Sequence, residues 1–158
     1  MKLLRSLTTA TAVACALLAA PLAHAHDDAY LDTQTAPHGG QLRMAGASHY
    51  ELVVVTDSPT AKTNAVTVYV TDHAGNKIPT AGATGSVTLL SGKTKSSTPL
   101  KPDGDNKLTG QATYASSADL KAIVKIKLAG QDEQQARFTP LAARPAASTP
   151  QPSHDHKH

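Results

Sequence analysis

Between residues 49 and 140 apolar and polar side chains alternate with a period of two. Tyr50, Leu52 and Val54 share one side of residues 49–56. Val66, Val68 and Val70 alternate with Thr67, Tyr69 and Thr71, and residues 86–90 form a third run. Leu108, Gly110, Ala112 and Tyr114 oppose Lys107, Thr109, Gln111 and Thr113. Ala122, Val124, Ile126 and Leu128 oppose a face carrying Lys121, Lys125 and Lys127, and Gln134, Ala136 and Phe138 oppose Gln135 and Arg137. Successive side chains of a strand point to opposite faces, so each run reads as a half-buried strand. Turn signals separate them: Asp57-Ser58-Pro59, His73-Ala74-Gly75-Asn76, Ser91-Gly92, Pro102-Asp103-Gly104-Asp105 and Ala129-Gly130. Sustained helical spacing is missing after residue 26. The pattern predicts an all-β protein, a small antiparallel immunoglobulin-like β-sandwich of about seven strands with disordered termini. Its core of Val, Leu, Ile and Ala, with few aromatics, implies modest stability.

The flanks have other patterns. Residues 1–25 read as a cleavable signal peptide: Lys2 and Arg5 precede an apolar run from Leu7 to Leu22, and Ala23-His24-Ala25 gives a small-x-small cleavage site. A rival cut after Ala23 would place Pro21 where a small residue is preferred. Cys15 sits inside the apolar run without a lipoprotein-type leucine before it, so anchoring through it is not expected. Residues 26–46 read as a polar, irregular segment and residues 47–140 as the folded domain. Residues 141–158 read as a disordered tail rich in Ala and Pro. The expected location is the periplasm, without a transmembrane segment in the mature chain.

Composition narrows the picture further. Cleavage would take Lys2 and Arg5 from a formal charge of +3, and the lysines are scattered among few aromatics, so no nucleic-acid partner is expected. It would also remove the single cysteine, which leaves no disulfide staple.

The eight histidines are the most informative residues. His26 would become the first residue after cleavage. Its α-amino group and imidazole can chelate one ion in a geometry that favours Cu(II), with Asp27 beside it as an oxygen donor. At the far end His154, His156 and His158 alternate with Asp155 and Lys157. Residues two apart in an extended chain lie ~7 Å apart on one side, a gap that a flexible chain closes. Three imidazoles and a carboxylate can then surround Zn(II), Cu(II) or Ni(II), with affinity falling below about pH 6 as imidazoles protonate. Within the folded region His38, Met44 and His49 offer a mixed nitrogen–thioether set suited to copper. Each has a plainer reading as well, in a turn, at a sheet edge and at a strand start. His73, beside Asp72 in a turn, reads as a surface hydrogen-bonding residue. No cysteine nucleophile, G-x-S-x-G, H-E-x-x-H or phosphate loop is present, so no enzyme activity is expected.

The run Ala36-Pro37-His38-Gly39-Gly40-Gln41-Leu42, followed by Glu51-Leu52-Val53, resembles the opening of a periplasmic domain in the membrane-fusion adaptors of heavy-metal efflux systems. The run from Val68 to Pro79, with Asp72, Gly75, Lys77 and Pro79, and then Gly82-Ala83, resembles the small immunoglobulin-like periplasmic domains called YtkA-like or FixH-like. The resemblance spans residues 37–140, and the lipoyl and helical-hairpin parts of an adaptor are missing. It implies a free-standing relative working in heavy-metal or copper homeostasis, with His38 as the position most closely tied to metal. The expectation is a non-enzymatic periplasmic accessory protein that binds exchangeable copper or zinc and acts with a periplasmic or inner-membrane cation efflux complex. The alternative is an interaction module that docks on a membrane complex through a strand edge, its histidines incidental.

Overall fold

The buried side of each strand is the side that the alternation singles out. The computed structural model describes residues 28–143. Val66, Val68 and Val70 are fully buried, as are Leu108 and Tyr114, Val124 and Ile126, with Ala136 and Phe138 nearly so. The all-β expectation holds, with a one-turn helix α1 (Asp28–Asp32) as the only helical element among the described residues. Eight strands follow: β1 (Gln41–Ala45), β2 (Ser48–Val54), β3 (Lys62–Thr71), β4 (Thr84–Ser91), β5 (Thr94–Pro102), β6 (Lys107–Tyr114), β7 (Lys121–Lys127) and β8 (Gln134–Phe138). Every ladder is antiparallel, and the spatial order is β1-β2-β3-β6-β5-β4-β7-β8.

That order folds one sheet around a single core. β5 joins its halves: it pairs along its length with β4, but meets β6 in a ladder only at Lys101–Thr109 and Pro102–Leu108. The first and last strands, β1 and β8, come side by side without a ladder among the described residues. Side chains bridge this seam, where Thr139 N–H donates to Gln41 Oε1 at 2.8 Å. The hairpins β1–β2 and β4–β5 both close through two-residue loops whose first member is a glycine in the left-handed region, Gly46 (φ 60°) and Gly92 (φ 57°). Glycine is suited to that position of such a turn.

Two strands lie outside the six runs that alternation picks out, so the sheet has eight where about seven were expected. Within residues 26–46, expected to be irregular, stand α1 and β1. In β1 the usual polarity is inverted: Gln41 and Arg43 face inward and are buried, while Leu42 and Met44 face out. Asp32 makes this tolerable, since it accepts from Gln41 Nε2 at 3.1 Å and from Arg43 Nη1 and Nη2 at 2.7 and 3.1 Å. A buried guanidinium is stable when a carboxylate meets it in this two-pronged way. The second is β5, whose Thr94-Lys95-Ser96-Ser97-Thr98-Pro99 stretch is polar on both faces and buries only Leu100 completely. Residues 1–27 and 144–158, which include the expected signal peptide and most of the tail, lie outside the described residues.

Tyr114 ties three distant segments together. Its hydroxyl accepts from Val55 N–H at 2.9 Å and donates to Ala65 O at 2.6 Å. Tyr114→Phe strands both backbone groups, and urea unfolding is expected to show a loss of about 1–3 kcal/mol. Tyr50, pushed up to about 12 by burial and then by the negative charge of Glu133, supplies a pH prediction. Its protonated form is favoured by folding. The stability it contributes is therefore complete below the unfolded value near 10 and disappears as pH rises through about 12. Melting temperatures should fall over that window, and less steeply in Tyr50→Phe.

Candidate functional site

Strand register puts two rows of side chains on the outer face of β1-β2-β3. Leu42, Glu51 and Tyr69 are cross-strand partners in one row, and Met44, His49 and Thr71 in the next. Cross-strand partners point to the same side of a sheet. An outward face of β2 would ordinarily be wet, yet Glu51 is only 3% exposed and His49 only 8%. Tyr30, Leu31, Gln34, Thr35, Pro37 and His38 border a pocket on this side together with His49 and Glu51, and Leu31 and Ala36 are buried.

Burying a carboxylate requires donors, and the loop before β1 provides them. Glu51 Oε1 accepts from the backbone N–H of His38 at 2.8 Å and of Gly40 at 3.0 Å, and Oε2 lies 2.8 Å from His38 Nδ1. A turn over residues 36–39 aims these donors, closed by Gly39 N–H to Ala36 O at 3.1 Å. Pro37 holds the second position, where its fixed φ fits. Gly40 must be glycine for space: a Cβ there would stand 2.9 Å from Glu51 Cγ and collide with the Leu52 carbonyl. The Pro-His-Gly-Gly run is therefore a carboxylate clamp. The His38 ring lies flat on Tyr69, with centroids 3.6 Å apart and planes within 3°. In the neutral ring with the carboxylate as acceptor, Nδ1 would carry the hydrogen and leave the lone pair on Nε2. The His38 side chain is 42% exposed.

The second row ends in another histidine. His73 occupies the turn after β3, built around Asp72: Oδ1 accepts from the N–H of Ala74 (2.9 Å) and of Asn76 (2.8 Å), and Oδ2 from Asn76 Nδ2 (2.9 Å). The Asn76 side-chain bond first, and its backbone bond next, hold the Asp72 carboxyl below its usual range. This turn carries the His73 ring over His49, with centroids 4.9 Å apart and planes within 17°. His38, His49, Glu51, Thr71 and His73 line one pocket of about 290 Å³.

Of the residues that the sequence nominates, His38, Met44 and His49 thus share one outer face. His26, Asp27, His154, Asp155, His156 and His158 lie outside the described residues. His73, expected to be a surface hydrogen-bonding residue, stacks on His49. Glu51 and Tyr69 were not nominated at all. Their signal was the register itself, since Glu51 lies two residues after His49 on the same face. As the side chains stand, no three His, Cys, Asp or Glu side chains form a metal cluster among the described residues. The chemistry on this face consists of an oriented imidazole, an imidazole pair and a neighbouring thioether. No protein-family model, curated protein or solved structure matches the chain.

Glu51→Gln keeps the size of the side chain but puts an N–H group where a donor must be accepted. The expected results are a loss of about 1–3 kcal/mol in urea unfolding and faster amide exchange at His38 and Gly40 than in the parent.

Proposed function

We propose that this chain is an exported, non-enzymatic metal-binding accessory protein that handles an exchangeable copper or zinc ion in the periplasm and works beside a cation efflux complex. The observation that carries the reading is the bond between His38 Nδ1 and the buried Glu51 carboxylate. A carboxylate on one ring nitrogen fixes the tautomer, orients the ring and makes the other nitrogen a better donor, which is the usual support of a metal-ligating histidine.

Further donors stand on the same face. Met44 is the cross-strand partner of His49, and His49 stacks on His73. Two nitrogens at 2.0–2.1 Å from a tetrahedral ion stand ~3.3 Å apart. The His49 and His73 rings are stacked with centroids at 4.9 Å, and they would have to turn out of the stack for their nitrogens to converge on one ion. A nitrogen-rich set with a thioether suits copper, and a purely imidazole set suits zinc equally. The histidines at both ends of the sequence extend the supply of donors, as an accessory protein that accepts and releases ions requires.

Calorimetric titration of the mature, untagged protein with Cu(II) and with Zn(II) tests this reading. The expected result is a dissociation constant below about 1 µM for at least one ion. His38→Ala should weaken it about tenfold or more, and so should the pair His49→Ala and His73→Ala. Loss of binding only on deletion of His154 to His158 would move the site to the tail. Binding of neither ion tighter than about 1 mM would refute a metal-handling role.

A further inference from the structure

A cavity of about 730 Å³ lies away from the histidines, where side chains of β4, β5, β7 and β8 meet Asp28 and Arg43. Register lays out its floor. Lys95, Leu90 and Lys121 are successive cross-strand partners in one row, and Thr88, Ile123 and Arg137 in the next. Two apolar side chains, Leu90 and Ile123, are thus flanked by three cations. Leu90, 40% exposed, is one of two exposed large hydrophobic residues among the described residues. Arg43 and Asp28 complete the wall, and they largely cancel: Asp28 lies 3.6 Å from Arg43 Nε, and Asp32 holds the rest of that guanidinium.

Lys95, Lys121 and Arg137 are different. None of the three forms an ion pair among the described residues, whereas the neighbouring Lys125 is matched by Glu133 at 3.7 Å. The groove consequently has positive charge left over beside an apolar strip. A solvated sheet face does not require either a concave shape or an exposed leucine between lysines. Cations around an apolar floor complement a molecule that has an anionic head and a hydrocarbon tail. Lysine and arginine can lay their methylene stems along the tail while their charged ends reach the head.

We propose that this groove binds an anionic amphiphile, with the head held by Lys121 and Arg137 and the chain lying over Leu90 and Ile123. The site is independent of metal binding. Dodecanoate is the probe, added below its micelle concentration to the mature protein, with binding followed by calorimetry and by amide shifts in nitrogen-15 NMR spectra. Dodecyltrimethylammonium supplies the same tail with the opposite charge, and acetate supplies the head without the tail. Dodecanoate is expected to move the amides of Leu90, Ile123 and Arg137 and to bind about tenfold or more tightly than either control. The pair Lys121→Glu and Arg137→Glu, and separately Leu90→Ser, should each weaken it to a similar extent. All three positions are exposed or half-buried on an outer face, and an unchanged spectrum elsewhere verifies the fold. Equal binding of the cationic detergent, equal binding of acetate, shifts confined to other surfaces, or affinity unchanged in both variants would each overturn the proposal.

Discussion

A carboxylate buried beside a loop determines the form of the N-terminal part of this protein. Glu51 belongs to a strand that must alternate, so with Leu52 in the core its own side chain has to emerge on the outer face. Buried beside the loop that carries His38 and Gly40, it can remain there only with its oxygens satisfied. That loop satisfies it, through two backbone N–H groups and one imidazole. The proline, histidine and two glycines that precede β1 each follow from this requirement: a preset turn, a ring donor, a left-handed residue and a position without room for a Cβ. The same bond orients the His38 ring, which lies flat on Tyr69.

The seam between β1 and β8 is solved by polar chemistry instead of a ladder. Gln41 reaches Thr139 on one side and Asp32 on the other, and Arg43 reaches Asp32. Gly46, in the turn leading out of β1, lies so close to β8 that a Cβ there would run into the Gln134 side chain. The one-turn helix owes its place to these bonds more than to its own five residues, since a helix of that length is not stable alone.

Most of the fold could be read from the sequence because most strands obey one rule. Val66 to Val70 and Ala122 to Leu128 bury every second residue, as period two requires, and Leu108 to Tyr114 does so except at the half-buried Gly110. β1 escaped because its inward residues are Gln41 and Arg43, which look like surface residues until Asp32 is placed beside them. β5 escaped because it serves as a bridge between the two halves of the sheet and has little to bury beyond Leu100. At the site, residue types led to His38, Met44 and His49. Their common face depended on the register of β1 with β2, which no single strand contains. His73 looked like a turn residue and is one. Its contact with His49 arises because β3 delivers that turn beside the second row of the face.

The β3–β6 ladder matches Lys62 with Tyr114 and Tyr69 with Lys107. Five antiparallel pairs, β1–β2, β2–β3, β4–β5, β5–β6 and β7–β8, join consecutive strands and can form as soon as their residues are available. The core between them cannot close until the chain has been delivered as far as Tyr114, whose hydroxyl then ties down Val55 and Ala65. Pairings this far apart in sequence are slow to nucleate. A nascent chain stopped before residue 114 would therefore expose Val66, Val68 and Val70 as an uncovered apolar strip. For this protein the exposure lasts beyond the arrival of β6, because Val124, Ile126, Ala136 and Phe138 of β7 and β8 belong to the same core.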